Sequence, residues 1–377
     1  MDVLSEVLRV VRLAGAIHFR GEFTRPWAFS TTPPALLAAR LKVPEGSVTP
    51  FHVFIEGSCW ITVGAFPPIR IETGDVVIFP RADQHVMASD LGLEPLPINR
   101  IYAQPSREQI TMLRHGGPGA AARFICGFLH ADQRFDPLLR SLPALLWVRE
   151  RDGVLALETL GEAGREVQPI PRRAEAEWWR ASLRYLVAES AVPGPGNRAA
   201  LARLAETLFV EVLRWRLRQA AAGGHGGWLA GLHDPQVGRA LGLLHALPHR
   251  PWTLEALAKE ARMSRAAFAQ RFADMVGEAP IRYLALWRMQ LAQHLLRDST
   301  LPVAAVAERV GYESEAAFSR AFRRFAGTPP AAWRRERQSS ACADEPMPKA
   351  VPEAAMPGWE GMRESADDSR KRAPSRA

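Results

Sequence analysis

The sequence predicts an α+β multidomain protein. Its N-terminal half is expected to form a small antiparallel β-barrel accompanied by a helical hairpin, and its C-terminal part an all-α domain. Three observations carry this prediction. The 377 residues exceed what one hydrophobic core usually serves. Short apolar runs bounded by Gly and Pro fill the stretch from Ile17 to His130, and a short pattern occurs twice between Trp252 and Arg337.

The composition is that of an ordinary globular chain, 47% hydrophobic and 23% charged. The net charge of +8 favours a polyanionic partner, without separating nucleic acid from an acidic membrane surface. No stretch approaches ~20 consecutive apolar residues, so no membrane span is expected. Met1–Ala16 is amphipathic and carries Asp2 and Glu6, which indicates a helix packed on the protein rather than a signal peptide.

The repeated pattern is the strongest local signal. Ser264–Phe272 reads SRAAFAQRF, and Ser314–Phe322 reads SEAAFSRAF fifty positions later. The apolar residues before each copy match at an offset of forty-nine, so the extra residue falls in the turn after Val310. Their helical spacing predicts that each copy is a helix, a tight turn and a second helix, as in DNA-reading helix-turn-helix units.

The ends of these helices are also marked in the sequence. Thr253, Ser264 and Ser314 are suitable N-caps, and Gly311 suits the left-handed conformation that ends a helix. Four aromatic side chains at helical spacing should face inward: Phe268, Phe272, Phe318 and Phe322.

A single helix from about Pro280 to Arg297 is predicted between the copies, with proline at a first helical position. Its buried side is expected to carry five apolar residues: Ile281, Leu284, Trp287, Leu291 and Leu295. At ~1.5 Å per residue this helix is about 27 Å long, and successive major grooves are ~34 Å apart. A rod of this length can hold two recognition helices in adjacent grooves.

At this point the sequence resembles the AraC/XylS family of transcription regulators. The resemblance rests on the paired patterns, on WRMQLAQHLL (Trp287–Leu296) and on AERVGYESEAAFSRAFRRFAGTPPAAWR (Ala307–Arg334). It implies a sequence-specific regulator, most often an activator, that binds double-stranded promoter DNA, RNA polymerase and a small-molecule effector. Repression stays open, and a plain helical bundle is the alternative to DNA binding.

Helix geometry predicts which side chains face DNA. With the phenylalanines inward, the outward positions are Arg265, Ala266, Ala269, Gln270, Glu315, Ala316, Ser319 and Arg320, with Arg323 and Arg324 further along. Arginine can fork onto guanine, glutamine onto adenine, and alanine can meet only a thymine methyl. Alanine at 266 and 269 departs from many family members, so the first unit is expected to contribute orientation more than hydrogen bonds. For Arg323 and Arg324 a solvated face is the alternative.

The N-terminal half predicts short strands. Phe51–Val63 reads as two strands turning at Glu56-Gly57-Ser58, and Ile69–Ile71 and Val76–Pro80 read as two more. The string GDVVIFP, ending at Pro80 and followed by His85, resembles the second half of a cupin motif. His52 stands where the first half begins, and the family often places a cupin-like effector domain before its DNA-reading part.

Three residues, His52, Glu56 and His85, are candidates for an effector pocket. They could also ligate a zinc or iron ion, but Val53 and Phe54 replace the usual second histidine and Glu56 lies at the predicted turn. The sequence therefore favours a pocket, and no cofactor is expected. A metal-dependent cupin enzyme with a DNA-binding appendage stays open as an alternative to a non-enzymatic regulator.

Cys59, Cys126 and Cys342 are an odd number without metal-like spacing, which fits a reducing cytoplasm. As a DNA-binding regulator the protein is expected to associate with the bacterial nucleoid. Free cysteine is commonly a small buried apolar residue. The alternative is that Cys59 or Cys126 senses oxidants, which requires a lowered thiol pKa and solvent access.

The chain divides into a cupin-like sensor domain (1–134), a helical extension (135–220), a linker (221–233), a DNA-binding domain (234–337) and a disordered tail (338–377). The extension contains a helical hairpin, Glu175–Ala191 and Asn197–Gln219, split by VPGPG. Its role is left open between a homodimer surface, which the resemblance implies, and a cover for the barrel.

Overall fold

The computed structural model describes residues 2–342 except 12, 42, 44–45, 102–109, 132–135, 162–163, 193 and 223–226. The first half contains α1 (Val3–Val11), β1 (Leu13–Thr24), β2 (Ala28–Ser30), α2 (Pro34–Leu41), β3 (Val48–Glu56), β4 (Ser58–Val63), β5 (Ile69–Glu72), β6 (Val76–Ile78), β7 (His85–Ala88), β8 (Leu96–Pro97), α3 (Ile98–Ile101), β9 (Thr111–Gly116), β10 (Ala121–Ala131), α4 (Asp136–Arg140), β11 (Leu145–Arg151), β12 (Val154–Gly161) and β13 (Gly164–Pro169). The remainder contains α5 (Arg173–Glu189), α6 (Asn197–Ala222), α7 (Trp228–His233), α8 (Val237–Ala246), α9 (Leu254–Glu260), α10 (Arg265–Val276), α11 (Pro280–Asp298), α12 (Val303–Arg309), α13 (Glu315–Ala326) and α14 (Pro330–Cys342).

Two sheets form the N-terminal half, which confirms the α+β prediction. The larger has the order β13-β12-β11-β6-β3-β10-β1-β9, and the smaller β5-β4-β7-β2-β8. Pairing is antiparallel except for β1 with β9 and β2 with β8. Side chains of the larger sheet alternate between two cores: on β10, Phe124 and Cys126 face an aromatic core shared with the smaller sheet, whereas Ile125 and Leu129 face the helices.

The strands predicted between Phe51 and Val63 are present as β3 and β4, but they do not pair with each other. β3 pairs with β10 and β6, and β4 pairs with β5 and β7. The turn therefore carries the chain from one sheet to the other. Gly57 makes this possible: its φ is 78°, and a Cβ there would lie 2.6 Å from the Ala121 carbonyl oxygen.

The sheet continues beyond residue 134, where the sequence placed a domain boundary. β11 pairs with β6 through Leu146 opposite Ile78, and β12 and β13 extend the same sheet. The apolar residues of β11 cover a strand edge that would otherwise be open. The sheet-forming part thus runs to Pro169.

The helical hairpin covers the larger sheet. A Cβ at Gly15 of β1 would lie 2.6 Å from the Ala202 carbonyl oxygen of α6, so strand and helix are in close contact. α5 packs on α6 through Trp179 and Trp215, whose ring centroids are 5.0 Å apart. The outer face of α5 leaves Trp178 and Tyr185 exposed.

The linker expected at 221–233 is shorter than predicted. α6 continues to Ala222, and α7 begins at Trp228, whose indole is completely buried. Burial of this large apolar ring stabilises a helix inside the expected linker. Residues 223–226 lie outside the described part. At the other end, α14 extends into the expected tail as far as Cys342, and residues 343–377 are outside the description.

The connecting helix α11 runs from Pro280 to Asp298, close to prediction, but Ile281 is 42% exposed rather than buried. The buried stripe follows Pro280, Tyr283, Leu284 and Trp287, which places Ile281 one position off the stripe. Among the described residues no helix is both long and apolar enough to cross a membrane.

The two helix-turn-helix units have different cores. The first unit (α9–α10) shares one continuous apolar cluster with α1, the larger sheet and α5–α8, including Phe268 and Phe272. The second unit (α12–α13) has a separate cluster containing Phe318, Phe322 and Trp333. The N-terminal helix α1 contacts α8 and α11, and Arg9 donates to His294 Nε2 at 3.0 Å.

Replacing the matched phenylalanines should separate these cores. Phe318→Ala and Phe268→Ala each remove a fully buried ring and should cost about 3 to 5 kcal/mol. In native-state hydrogen exchange, Phe318→Ala should accelerate exchange in α12 and α13 but not in α1. Phe268→Ala should accelerate exchange in α9, α10 and α1, because these helices share a core. Acceleration of α1 by both variants equally would contradict the division.

Candidate functional site

The two helix-turn-helix units, α9–α10 and α12–α13, are called reading units below. Their helices begin and end where the sequence predicted. Thr253, Ser264 and Ser314 are N-caps whose hydroxyls accept from backbone N–H groups at 3.1, 3.3 and 3.2 Å. Gly311 has a φ of 85° and ends the helix before the second turn. The four phenylalanines are fully buried, so the opposite faces of α10 and α13 are open.

All ten residues predicted to face DNA lie on those open faces. Eight are exposed: Arg265, Ala266, Gln270, Glu315, Ala316, Arg320, Arg323 and Arg324. Ala269 and Ser319 are half-buried, one position nearer to the phenylalanine stripe. The exposure makes each side chain available for contact, and the base or phosphate assignments remain predictions.

The polar side chains of the first unit already have acidic partners. Arg265 pairs with Glu255 of α9 at 3.0 Å, and Gln270 donates to Asp274 one turn further along α10 at 2.7 Å. Exposed pairs of this kind contribute little stability, so they can be exchanged for contacts to DNA. A contact of Arg265 or Gln270 with DNA would therefore have to replace the pair with Glu255 or Asp274.

The second unit differs. The side chains of Arg320, Arg323 and Arg324 form no ion pair or hydrogen bond with any residue in the described part of the chain. Three free guanidinium groups on one helix attract phosphate and can fork onto guanine. These three side chains give the exposed face of α13 a positive charge that no carboxylate of the described residues neutralises.

Inside the barrel, the structure brings His52 and His85 together but not Glu56. The Nε2 atoms of the two histidines are 2.8 Å apart, and both rings are buried. His52 Nδ1 lies 2.7 Å from Cys126 Sγ, and His85 Nδ1 lies 2.9 Å from the Asp83 carbonyl oxygen. The ring of Phe79 stacks on the ring of His85, with the two ring centroids 3.6 Å apart.

These contacts assign the protons. The Asp83 carbonyl only accepts, so His85 Nδ1 donates to it and His85 Nε2 must accept from His52 Nε2. His52 Nδ1 is then an acceptor, and the Cys126 thiol donates to it. Burial lowers the pKa of His52 well below its usual range and that of His85 to about 4, so both rings are neutral near neutral pH.

Glu56 is a correction to the predicted pocket. It sits at the end of β3, where its carboxylate pairs with Arg123 in an exposed position. Alternation alone would put Glu56 on the same face as His52 and Phe54, but the register of β3 against β10 shifts between Phe54 and Glu56 at the end of the strand. No group of three His, Cys, Asp or Glu side chains placed to hold a metal occurs within the residues that the structure describes.

The cysteines do not meet the requirements of an oxidant sensor. Cys59 is 1% exposed and Cys126 is 4% exposed. Burial raises the pKa of both thiols well above its usual range, which is opposite to the lowered pKa that a reactive thiol needs. The alternative of a cysteine-based sensor is not supported by this arrangement.

Sequence reasoning missed two polar contacts. One is the Cys126–His52 hydrogen bond, which depends on the register of β10 against β3. The other connects α7, in the expected linker, to the DNA-binding domain: Trp228 Nε1 donates to Tyr283 Oη at 2.8 Å, and that hydroxyl lies 2.7 Å from His245 Nε2. Neither pattern has a local signal, because the partners are far apart in sequence.

The buried histidines make the stability depend on pH. An unfolded histidine has a pKa of ~6.5, so the unfolded chain binds a proton that folded His85 does not bind until about pH 4. The free energy of unfolding therefore falls as the pH drops from ~6.5 towards about 4.

His85→Gln should reduce this loss of unfolding free energy between pH ~7 and pH ~5 by about 2 kcal/mol, measured by urea unfolding. His233→Gln, at an exposed position, is the matched control, and an equal loss in both variants would contradict the assignment.

Comparison with known proteins agrees with this architecture. A family model described as a cupin matches residues 2–169 and 166–218, and one described as a helix-turn-helix domain matches residues 257–336. The HTH-type transcriptional regulator AlkR of Acinetobacter baylyi is 28% identical over 326 residues, which is 86% of this chain and 96% of the relative. A putative AraC-like transcription regulator of Streptomyces antibioticus is 32% identical over 336 residues, with 89% and 99% covered. The RCS-specific HTH-type transcriptional activator RclR of Escherichia coli K12 is 32% identical over 210 residues, with 56% and 66% covered.

The cupin match spans more than half of the chain, and the Streptomyces relative is matched over nearly its whole length. The two sheets, the duplicated reading units and these matches lead to one conclusion. The chain belongs to the AraC-like transcription regulators, with an N-terminal cupin domain and a C-terminal helix-turn-helix domain of the type that binds double-stranded DNA.

Proposed function

We propose that the protein activates transcription by placing α10 and α13 in two successive major grooves of promoter DNA, under control of a signal received by its cupin domain. The observation that carries the proposal is that α10 and α13, which have matching sequences and similarly exposed faces, pack near the two ends of α11. That helix has 19 residues and is about 28 Å long, close to the spacing of major grooves.

The two units would contribute differently. α13 carries three arginines without an ion-pair partner among the described residues, so it would supply a base contact through Arg320 and phosphate contacts through Arg323 and Arg324. α10 presents Ala266 and Ala269 near its start, which can meet a thymine methyl but form no side-chain hydrogen bond. The first unit would orient the protein, and the second would carry most of the charge-based affinity.

The signal has a physical route to the DNA-binding domain. The first unit shares its apolar core with α1, the larger sheet and the helical hairpin. A ligand that favours one packing of that core over another would shift the position of α10 directly. The second unit would respond only through α11.

Two features support an effector site in the barrel. The His52–His85 pair places imidazole nitrogens inside an otherwise apolar barrel, and a bound ligand would take the place of the hydrogen bond that joins them. Trp27, 3% exposed in the same aromatic core, has an indole N–H with no acceptor among the described residues. A small molecule with an apolar body and a hydrogen-bond acceptor fits this chemistry.

Two further partners belong to the proposal. Activation requires contact with RNA polymerase, and the E. coli relative is itself named an activator. The exposed Trp178 and Tyr185 on the outer face of α5 would form the centre of a homodimer surface. The proposed place of action is the bacterial cytoplasm, on promoter DNA.

The test of this function is selection of bound duplexes by the full chain, from random DNA and from fragments of the source genome. The expected outcome is a two-part site with its parts about one helical turn apart, upstream of a small set of genes. Equal affinity for selected and random duplexes would refute the proposal.

Arg320→Ala should alter specificity rather than affinity alone. If Arg320 forks onto a guanine, its loss should cost ~1 to 3 kcal/mol for the preferred base and much less for the other three at that position. The measurement is competition binding against all four bases at each position of the selected site. Arg309→Ala removes the same charge from an exposed position of α12 and should weaken all sequences alike. A uniform loss in Arg320→Ala would make Arg320 a phosphate contact.

A further inference from the structure

The relative placement of the two reading units is not determined by a common core. The first half of α11, with Tyr283, Leu284 and Trp287, is buried in the cluster shared with the cupin domain. The second half, with Met289, Ala292 and Leu296, is buried in the cluster of the second unit. Each unit packs mainly on its own part of α11, and Leu291 packs against both clusters, so a direct contact between the units adds to α11 in restricting their rotation about the helix.

Arg288, at the border between the two halves of α11, makes contacts towards both units. Its Nε donates to the Pro248 carbonyl oxygen at 2.8 Å, and a terminal nitrogen donates to the Arg250 carbonyl oxygen at 3.0 Å. Both carbonyls belong to the loop between α8 and α9, which leads into the first unit. Trp252, buried just after this loop, anchors it by donating to the Leu247 carbonyl oxygen at 3.0 Å.

The same guanidinium reaches the turn of the second unit. Its carbon lies 5.8 Å from the centroid of the Tyr312 ring, a cation–π distance, and Tyr312 packs edge-on against the core residue Phe318 with centroids 5.6 Å apart. At Gly311, an added Cβ would lie 2.7 Å from His249 Cα and 2.8 Å from a terminal nitrogen of Arg288. The turn of the second unit and the α8–α9 loop are therefore in direct contact around Arg288.

We propose that Arg288 is a positioning residue that fixes the distance and rotation between the two reading units, and so determines which spacing between the two parts of a DNA site the protein accepts. This inference rests on the proposed function, since it requires both units to bind one duplex. Arginine suits the task because its planar fork can hold two carbonyl oxygens while one face meets an aromatic ring. No contact between Arg288 and DNA is involved.

The experiment uses the full chain and the duplex that it selects from random DNA. Binding is measured for that duplex and for versions with one base pair inserted or removed between the two parts of the site, which rotates one part by roughly 35°. The unaltered protein should lose affinity on the order of tenfold for each altered spacing, the size of one lost base contact. Arg288→Met should reduce this penalty to about twofold, because the units can adjust.

Two further variants complete the design. Arg282→Met removes the same charge from an exposed position of α11, where Arg282 pairs with Glu278 at 2.8 Å, and it should keep the full spacing penalty. Arg288→Lys keeps the charge but reaches only one carbonyl, and it should give an intermediate penalty. If circular dichroism shows that Arg288→Met does not fold, Arg288→Lys decides, and an undiminished penalty in it overturns the proposal.

The outcomes separate this inference from the proposed function. A spacing penalty in the unaltered protein that persists in Arg288→Met overturns the role of Arg288 and leaves two-unit binding intact. A uniform loss for all spacings in Arg288→Met also overturns it, because the residue would then support folding or affinity alone. A selected site without spacing dependence in the unaltered protein overturns both, since only one unit would be reading DNA.

Discussion

The structure depends on the way in which α11 is buried at its two ends. Its first half completes a core that the cupin domain, the helical hairpin and the first reading unit hold in common, and its second half completes the core of the second unit. One helix thus transmits position between two bodies that otherwise meet at a small polar contact around Arg288. The regulator is therefore asymmetric. The first unit shares an apolar core with the cupin domain, whereas the second unit has its own core and is joined to the rest of the chain mainly through α11.

The same asymmetry appears in the charges. Arg265 and Gln270 of the first reading helix are held by Glu255 and Asp274, whereas the arginines of α13 face solvent with no partner in the described chain. A unit whose polar groups are already satisfied gains less from DNA than one whose groups are free. Under the proposed function, the unit that shares a core with the cupin domain would contribute less electrostatic affinity, and a small shift in packing would be enough to change occupancy of the DNA.

The sequence was sufficient for most features that depend on local residue type and periodicity, although Ile281 was wrongly expected to be buried. Helix caps at Thr253, Ser264 and Ser314, the left-handed Gly311 and the four buried phenylalanines follow from spacing alone, and all are present. Sequence reasoning failed for features that depend on which distant strand or helix packs against a given sheet edge or helix face. The pairing of β11 with β6, the crossing at Gly57 between sheets and the burial of Trp228 each depend on a partner far along the chain. The candidate pocket also depends on contacts between distant residues. His52 and His85 are hydrogen-bonded to each other, whereas Glu56 pairs with Arg123 on a neighbouring strand.

The position of α1 has a consequence for synthesis of the chain. Its buried face, with Val3, Val7 and Val10, packs on α8 and α11, which are synthesised much later, and Arg9 contacts His294, 285 positions further along the chain. At ~5 to 20 residues per second, the ribosome leaves that apolar face without its final partner for on the order of 15 to 60 s. The nascent N-terminus must stay unaggregated through this interval, alone or bound by a chaperone. The cupin domain can reach its final packing only after α11 has emerged.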